Sequence, residues 1–273
     1  MTRIAVTDRT RFGNNMNRRT PSRSVTLAML ASLAALVCSG GINAQEAPAQ
    51  RPQRPVQTPQ AATTVDLTGD WVSVVTGDWK FRMVTPNKGV LDGLPLNAEG
   101  RRIANTWDPK QDTANGEQCR AYGAGNIMRV PGRLRIKWES SDTLRIDTDA
   151  GTQTRLLKFG PPVKAGEPSW QGSTHAEWHK PAGPAAAGTG GSLKAVTTGL
   201  KPGYLRKNGA PYSDATVLTE YYERQAAPNG DSWLIVTQIV KDPKYLSRSY
   251  ITSANFKKIP DGAGWTPTPC SAN

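Results

Sequence analysis

Arg133-Leu134-Arg135-Ile136-Lys137-Trp138, then Glu139-Ser140-Ser141-Asp142, then Thr143-Leu144-Arg145-Ile146-Asp147-Thr148: apolar and polar residues alternate on both sides of a four-residue polar link. Side chains of a strand point alternately to its two faces, so each run has one apolar face and one charged face. A short polar link between two such runs suits a β-hairpin. The same reading predicts strands at Leu67 to Val75, Trp79 to Val84, Thr152 to Phe159, Ser169 to Trp178, Leu193 to Thr198, Thr216 to Arg224, Trp233 to Val240 and Ser249 to Lys257. One helix is expected over Ala98 to Trp107, with Asn97 as cap, Glu99 favouring the N-terminal dipole and Pro109 as its stop. About ten strands with one short helix predict an all-β fold, an antiparallel β-barrel of about 8–10 strands, because closure removes exposed sheet edges. Pro181 to Ser192, rich in Gly and Ala, reads as a flexible loop bordering the barrel's mouth.

Upstream, the apolar run Val25 to Val37 follows Arg18, Arg19 and Arg23 and precedes Ile42-Asn43-Ala44. It is too short for a bilayer core of ~30 Å and suits the h-region of a secretory signal. Residues 1–44 are therefore expected to be a signal peptide, with Met16 a second possible start, and the protein periplasmic or secreted without stable membrane insertion after cleavage. Gln45 to Thr64 is rich in Gln, Pro and Ala and reads as a disordered tether, because it carries too little apolar surface to offset its ordering entropy. Val65 to Asn273 is expected to be one barrel domain. Cleavage after Ala44 removes Cys38 and leaves Cys119 and Cys270, which an oxidising compartment would join in a disulfide.

The full chain has a formal charge of +12, and loss of residues 1–44, with six Arg and one Asp, lowers it to +7. That charge is spread along strand faces, and no concentrated basic patch with interleaved aromatics predicts a nucleic-acid partner. A Gly-x-Ser-x-Gly elbow, a phosphate-cradling loop and a dinucleotide fingerprint are absent from the sequence, and no cofactor is expected.

Gly69-Asp70-Trp71 resembles the Gly-x-Trp opening of lipocalin-like (calycin) barrels, which implies a Trp plugging one end. From Cys119 onward, Ile127-Met128-Arg129-Val130-Pro131, Trp170-Gln171-Gly172-Ser173 through Trp178, Pro211-Tyr212-Ser213, Leu218-Thr219-Glu220 and Asp242-Pro243-Lys244 resemble a widespread group of secreted β-rich proteins of proteobacteria and acidobacteria. The resemblance implies a single secreted β domain and brings no particular activity. At position 212 that pattern often carries His where this chain has Tyr.

Candidate chemistry centres on His175-Ala176-Glu177-Trp178-His179 and on Thr216 to Arg224. On a strand His175 and Glu177 share a face about 6.6 Å apart, close enough to meet on one ligand or proton, whereas His175 and His179 are about 13 Å apart and do not predict a metal site. Glu220 and Arg224 fall on the face of Leu218 and Tyr222, as either a structural ion pair or a ligand clamp. Arg155, beside Leu157 and Phe159, and Arg82, beside Trp79 and Phe81, are further clamp candidates.

Two functions follow. One is a cofactor-independent lyase for a small hydrophobic or aromatic carboxylic acid, with Tyr212, Tyr222, His175 and Glu220 as catalytic groups and Arg224, Arg155, Arg82 and Trp79 binding substrate. The other is a non-catalytic, lipocalin-like binding protein for a similar ligand.

Overall fold

A computed structural model describes residues 56–161, 166–180 and 191–272 of the chain. The signal segment, residues 45–55 of the tether and most of the Pro181 to Ser192 loop lie outside the described residues. Nine strands close into a barrel. In spatial order they are β1 (Gly69–Val74), β11 (Tyr250–Ile259), β10 (Ser232–Lys241), β9 (Val217–Ala226), β6 (Ser192–Thr198), β5 (Ser173–His179), β4 (Gln153–Phe159), β3 (Thr143–Thr148) and β2 (Arg133–Ser140), which returns to β1. The hairpin of the opening motif is β2–β3, with Ile136 opposite Ile146 and Leu134 opposite Thr148.

Every neighbouring pair in the barrel is antiparallel except one. β4 and β5 run parallel and pair over only Leu157–Phe159 and Thr174–Ala176. A parallel neighbour cannot be reached by a tight turn, so the chain between them must cross back along the barrel. This seam departs from the purely antiparallel barrel expected from sequence.

Apolar residues at alternate strand positions fill the interior, among them Leu134, Ile136, Leu144, Ile146, Leu157, Leu193, Val236 and Phe256. Trp71 is fully buried, and its indole N–H donates to the Leu67 carbonyl at 3.0 Å. Trp138, Phe159 and Trp178 form a tilted cluster with ring centroids 5.2 to 6.3 Å apart. Residues 56–64, expected as the end of a disordered tether, lie against this region: Trp178 Nε1 donates to the Pro59 carbonyl at 2.8 Å, and Gln60 N to the Ser141 carbonyl at 3.0 Å. Partner groups on the barrel overcome the low apolar content of that segment. On the basic face of β2, Arg135 is neutralised locally, gripping Asp70 with two hydrogen bonds of 3.0 Å.

Outside the barrel, insertions after β1 and after β6 build a second apolar layer with Leu91, Leu94, Leu205 and Tyr212, which packs with Leu246 of the β10–β11 connection and Tyr250 at the start of β11. It contains three short helices, α1 (Trp79–Arg82), α2 (Ala98–Ala104) and α3 (Pro109–Ala114), and a two-stranded ribbon, β7 (Gly203–Arg206) with β8 (Ala210–Tyr212). The strand expected at Trp79 to Val84 is thus helix α1, entered from Asp78 in the left-handed region at φ 52°. The expected Ala98 to Trp107 helix is shorter, and Pro109 opens α3 rather than only ending its predecessor, because Asp108 caps it and proline's missing N–H costs nothing in a first turn.

Cys119 and Cys270 are joined, closing a sequence separation of 151 residues. The bridge fastens the C-terminal segment, which is also held by Thr268 N on the Asp149 carbonyl at 2.9 Å. Among the described residues no helix is long and apolar enough to cross a membrane.

Candidate functional site

The β4–β5 seam opens a cleft of about 660 Å³, within the range of small-molecule sites. Because the two strands pair at only three positions, the first half of β4 lacks a backbone partner on that side. Side chains replace the missing ladder: Gln171 Nε2 donates to Gln153 Oε1 at 3.0 Å and to the Tyr122 carbonyl at 2.8 Å. The returning chain places Trp170 in the cleft lining, together with Leu156 of β4 and Val196 of β6. The walls are mainly apolar, and Leu156 is partly exposed although its strand alternates. Lys158 and His175, directly opposite each other in the parallel register, supply polar and cationic groups.

His175 therefore lies where a ligand could reach it, while the carboxylate of Glu177, two residues on, feels its charge but is hydrogen-bonded elsewhere. Glu177 instead pairs with Lys194 at 2.7 Å, and that hydrogen bond holds its carboxyl below the usual range. His179 meets the Tyr221 ring edge-on at 6.1 Å. Among the described residues no group of three His, Cys, Asp or Glu could hold a metal ion.

Three other candidates converge inside the barrel. Arg155 Nη1 and Nη2 donate to the two Glu220 carboxylate oxygens at 2.9 and 2.5 Å, and Nη1 also reaches the Tyr222 hydroxyl at 3.2 Å. Gln238 Nε2 donates to Glu220 Oε1 at 3.1 Å. All three are essentially without solvent contact, at 1 % exposure for Arg155 and 0 % for Glu220 and Tyr222. Burial, the largest single influence, lowers the Arg155 pKa, but the charges and hydrogen bonds of Glu220 and Tyr222 together outweigh it and the net shift is upward; burial raises the Tyr222 phenol. The strand-face reading of Glu220 holds, with the partner changed: the cation it meets is Arg155 across the barrel, not Arg224. The network reaches the cleft lining through two hydroxyls. Arg155 Nη2 lies 3.4 Å from the Thr197 hydroxyl, which is 2.8 Å from that of Thr174, a residue of the cleft lining.

The remaining candidates are dispersed. Arg224, near the end of β9, donates to the Asp66 carbonyl at 3.1 Å and the Ser232 hydroxyl at 3.2 Å. Trp79 is largely exposed on α1, on a different element from the buried Tyr222 that was expected to share its pocket. Arg82 is buried at the end of the same helix, with Nε donating to the Arg129 carbonyl at 2.8 Å. The three arginines named as alternative clamps thus occupy three separate places: Arg155 and Arg224 are on different barrel strands, β4 and β9, and Arg82 is on α1 outside the barrel.

Tyr212 lies in β8 in the outer layer, fully buried, in a slot made by glycines: a Cβ at Gly123 or Gly203 would stand 2.2 or 2.5 Å from its hydroxyl oxygen. That hydroxyl has no hydrogen-bond partner, and burial raises its pKa. Since a buried unpaired hydroxyl costs about 1–3 kcal/mol, Tyr212→Phe is expected to leave stability unchanged or raise it by about 1 kcal/mol, measured by urea unfolding. A loss above 1 kcal/mol would show that the hydroxyl has a partner. Tyr204, whose hydroxyl donates to Asp112 at 2.8 Å, is likewise raised by burial. A phenol raised above its unfolded value of about 10 keeps its proton longer in the folded state, so the fold is expected to lose stability as pH climbs past about 10. Unfolding midpoints taken from pH 8 upward check this.

Sequence reasoning missed the cleft walls Leu156, Trp170 and Val196, and the glutamines that brace the seam. One signal was available: Leu156-Leu157 puts apolar side chains on both faces of a strand whose outer face should be polar. Asp242 gives a physical reason for two quoted motifs to co-occur. Its carboxylate accepts from Ser213 N and Oγ at 2.6 and 2.9 Å and from Lys244 N at 2.8 Å, tying the end of β8 to the turn after β10.

Comparisons of the chain with protein-family models, with curated proteins and with solved structures gave no match.

Proposed function

We propose that this is an exported, non-catalytic binding protein that holds a small hydrophobic ligand in the β4–β5 cleft, with any carboxylate directed at Lys158 and His175. The observation that carries this reading is the cleft itself, a mainly apolar cavity of about 660 Å³ with two basic side chains at one wall. The barrel interior, where a lipocalin-like protein would store its ligand, is filled by packed side chains and the Arg155–Glu220 pair. The lyase reading loses support for the same reason, because its presumed acid and base groups are divided between the sealed interior, the outer layer and the cleft. Export rests on the leader-like residues 1–44, and the likeness to secreted β-rich proteins rests on its motifs alone.

Titration with a panel of aliphatic and aromatic acids, followed by tryptophan fluorescence, to which Trp170 of the cleft lining contributes, and by calorimetry, tests the proposal. At least one is expected to bind saturably and to be recovered unchanged by chromatography. Leu156→Asp, which puts a negative charge on an apolar wall of a cleft that takes an anion, is expected to weaken that binding at least about tenfold, or 1.4 kcal/mol, with little change in stability because the side chain is partly exposed. Binding unaffected by Leu156→Asp, or turnover of the ligand, would overturn it.

A further inference from the structure

We propose that Arg82, Arg129 and Arg206 form an oxyanion site, separate from the cleft, that takes a carboxylate or phosphate group. The three come from different elements: the last turn of α1, the 3₁₀ turn Ile127–Arg129 and the end of β7. Each is at least nine-tenths buried, with relative exposures of 9, 4 and 4 %. They line a recess of about 20 Å³ together with Phe81 and Lys207.

Their partners leave the charge uncompensated. Arg206 donates to the Val90 and Asp92 carbonyls at 3.1 and 2.8 Å, with Phe81 stacked 4.1 Å from its guanidinium carbon. Arg82 donates through Nε to the Arg129 carbonyl at 2.8 Å and lies 3.5 Å from the Gly77 carbonyl through Nη1. Carbonyls satisfy hydrogen bonds without neutralising a cation. Among the described residues the one carboxylate ion-paired with the group is Asp78, 2.8 Å from Arg129 Nη2; Arg129 Nη1 bonds the Thr252 hydroxyl. The chain holds Asp78 at φ 52°, a left-handed conformation costing a non-glycine residue about 1–2 kcal/mol.

A purely structural arginine cluster would account for the carbonyl contacts, but not for Arg82 Nη2, which is buried without any partner. The charges also oppose one another: burial, then Arg129, pull the Arg82 pKa down to about 10, and burial and Arg129 both act to lower that of Arg206. An anion supplies both missing elements, an acceptor for Nη2 and a negative charge, and guanidinium matches carboxylate and phosphate oxygens geometrically. The recess holds about one water-sized group, so it would admit a single oxygen while the rest of the ligand stays at the mouth. Beside it Trp79, Met83 and Val84 are exposed, a surface for the apolar part of a larger anion.

The test uses the full-length exported protein at low ionic strength, with inorganic phosphate and acetate titrated by calorimetry and thermal shift against chloride. Saturable stabilisation by phosphate or acetate is expected at concentrations where chloride has little effect. Arg82→Gln should weaken it about tenfold or more, the loss of one charge-assisted hydrogen bond. Asp78→Asn, whose side chain also tolerates the left-handed region, should tighten it several-fold. Octyl phosphate distinguishes the sources: affinity above that of phosphate, lost in Trp79→Ala, assigns the head group of an amphiphile, and equal affinity assigns a free anion. Chloride matching phosphate, no saturable effect, or unchanged or weaker binding in Asp78→Asn would overturn the site. The Asp78 result keeps the test decisive even if Arg82→Gln folds poorly, and both readouts are independent of ligand binding in the cleft.

Discussion

Glu220→Ala is expected to destabilise the protein by about 3–5 kcal/mol, because it leaves the Arg155 cation in the barrel with no counter-charge. The loss exceeds that of an ordinary surface pair because neither side chain has access to water that could take over the solvation of the remaining charge. The double variant Arg155→Met with Glu220→Leu should recover most of the stability, since replacing both ions by apolar groups of similar volume removes the desolvation cost along with the attraction. Urea unfolding of the two variants checks the pair. If Glu220→Ala costs under 1 kcal/mol, the pair is not sealed from water. If the double variant is as unstable as the single one, the ion pair is needed for the interior to pack.

Opening the Cys119–Cys270 bridge has the second largest expected effect. A bond closing 151 residues of chain restrains the unfolded state by about 5 kcal/mol in the chain-entropy model, and measured losses for native bridges run about 2–5 kcal/mol. For a chain of this size that corresponds to a fall in Tm of roughly 4–20 °C. Thermal unfolding of Cys119→Ser with Cys270→Ser, against the oxidised protein, measures it. The C-terminal segment should become the first site of proteolysis, since Thr268 then holds it to the barrel by backbone contacts that single hydrogen bonds sustain weakly. An unchanged Tm and an uncut tail would mean that the segment is fixed without the bridge.

Alternation with period two was sufficient, in the sequence by itself, to determine nine strands, because each has one face on the interior and one on water. Leu144, Ile146 and Thr148 are buried on β3 while Arg145 lies between them on the outer face, and that pattern is local. The cysteine pairing was legible too, as the two thiols left once the leader-like residues 1–44 are set aside. Trp79 to Val84 deceived because six residues can alternate by chance; Asp78 turns the chain and the segment winds into α1 on the outer layer. The β7–β8 ribbon was hidden although Asn208-Gly209 is a hairpin signal, since its flanks are buried on both faces and do not alternate. Tertiary structure alone decided the parallel β4–β5 seam, and with it the cleft, because which strands become neighbours depends on how the whole barrel closes. It also decided partners: Glu220 faces Arg155 at a sequence separation of 65, and Arg82 meets Arg129 and Arg206 from other elements. Residue types announced that charges would be buried, but a strand's own pattern carries no information about what lies across the barrel from it.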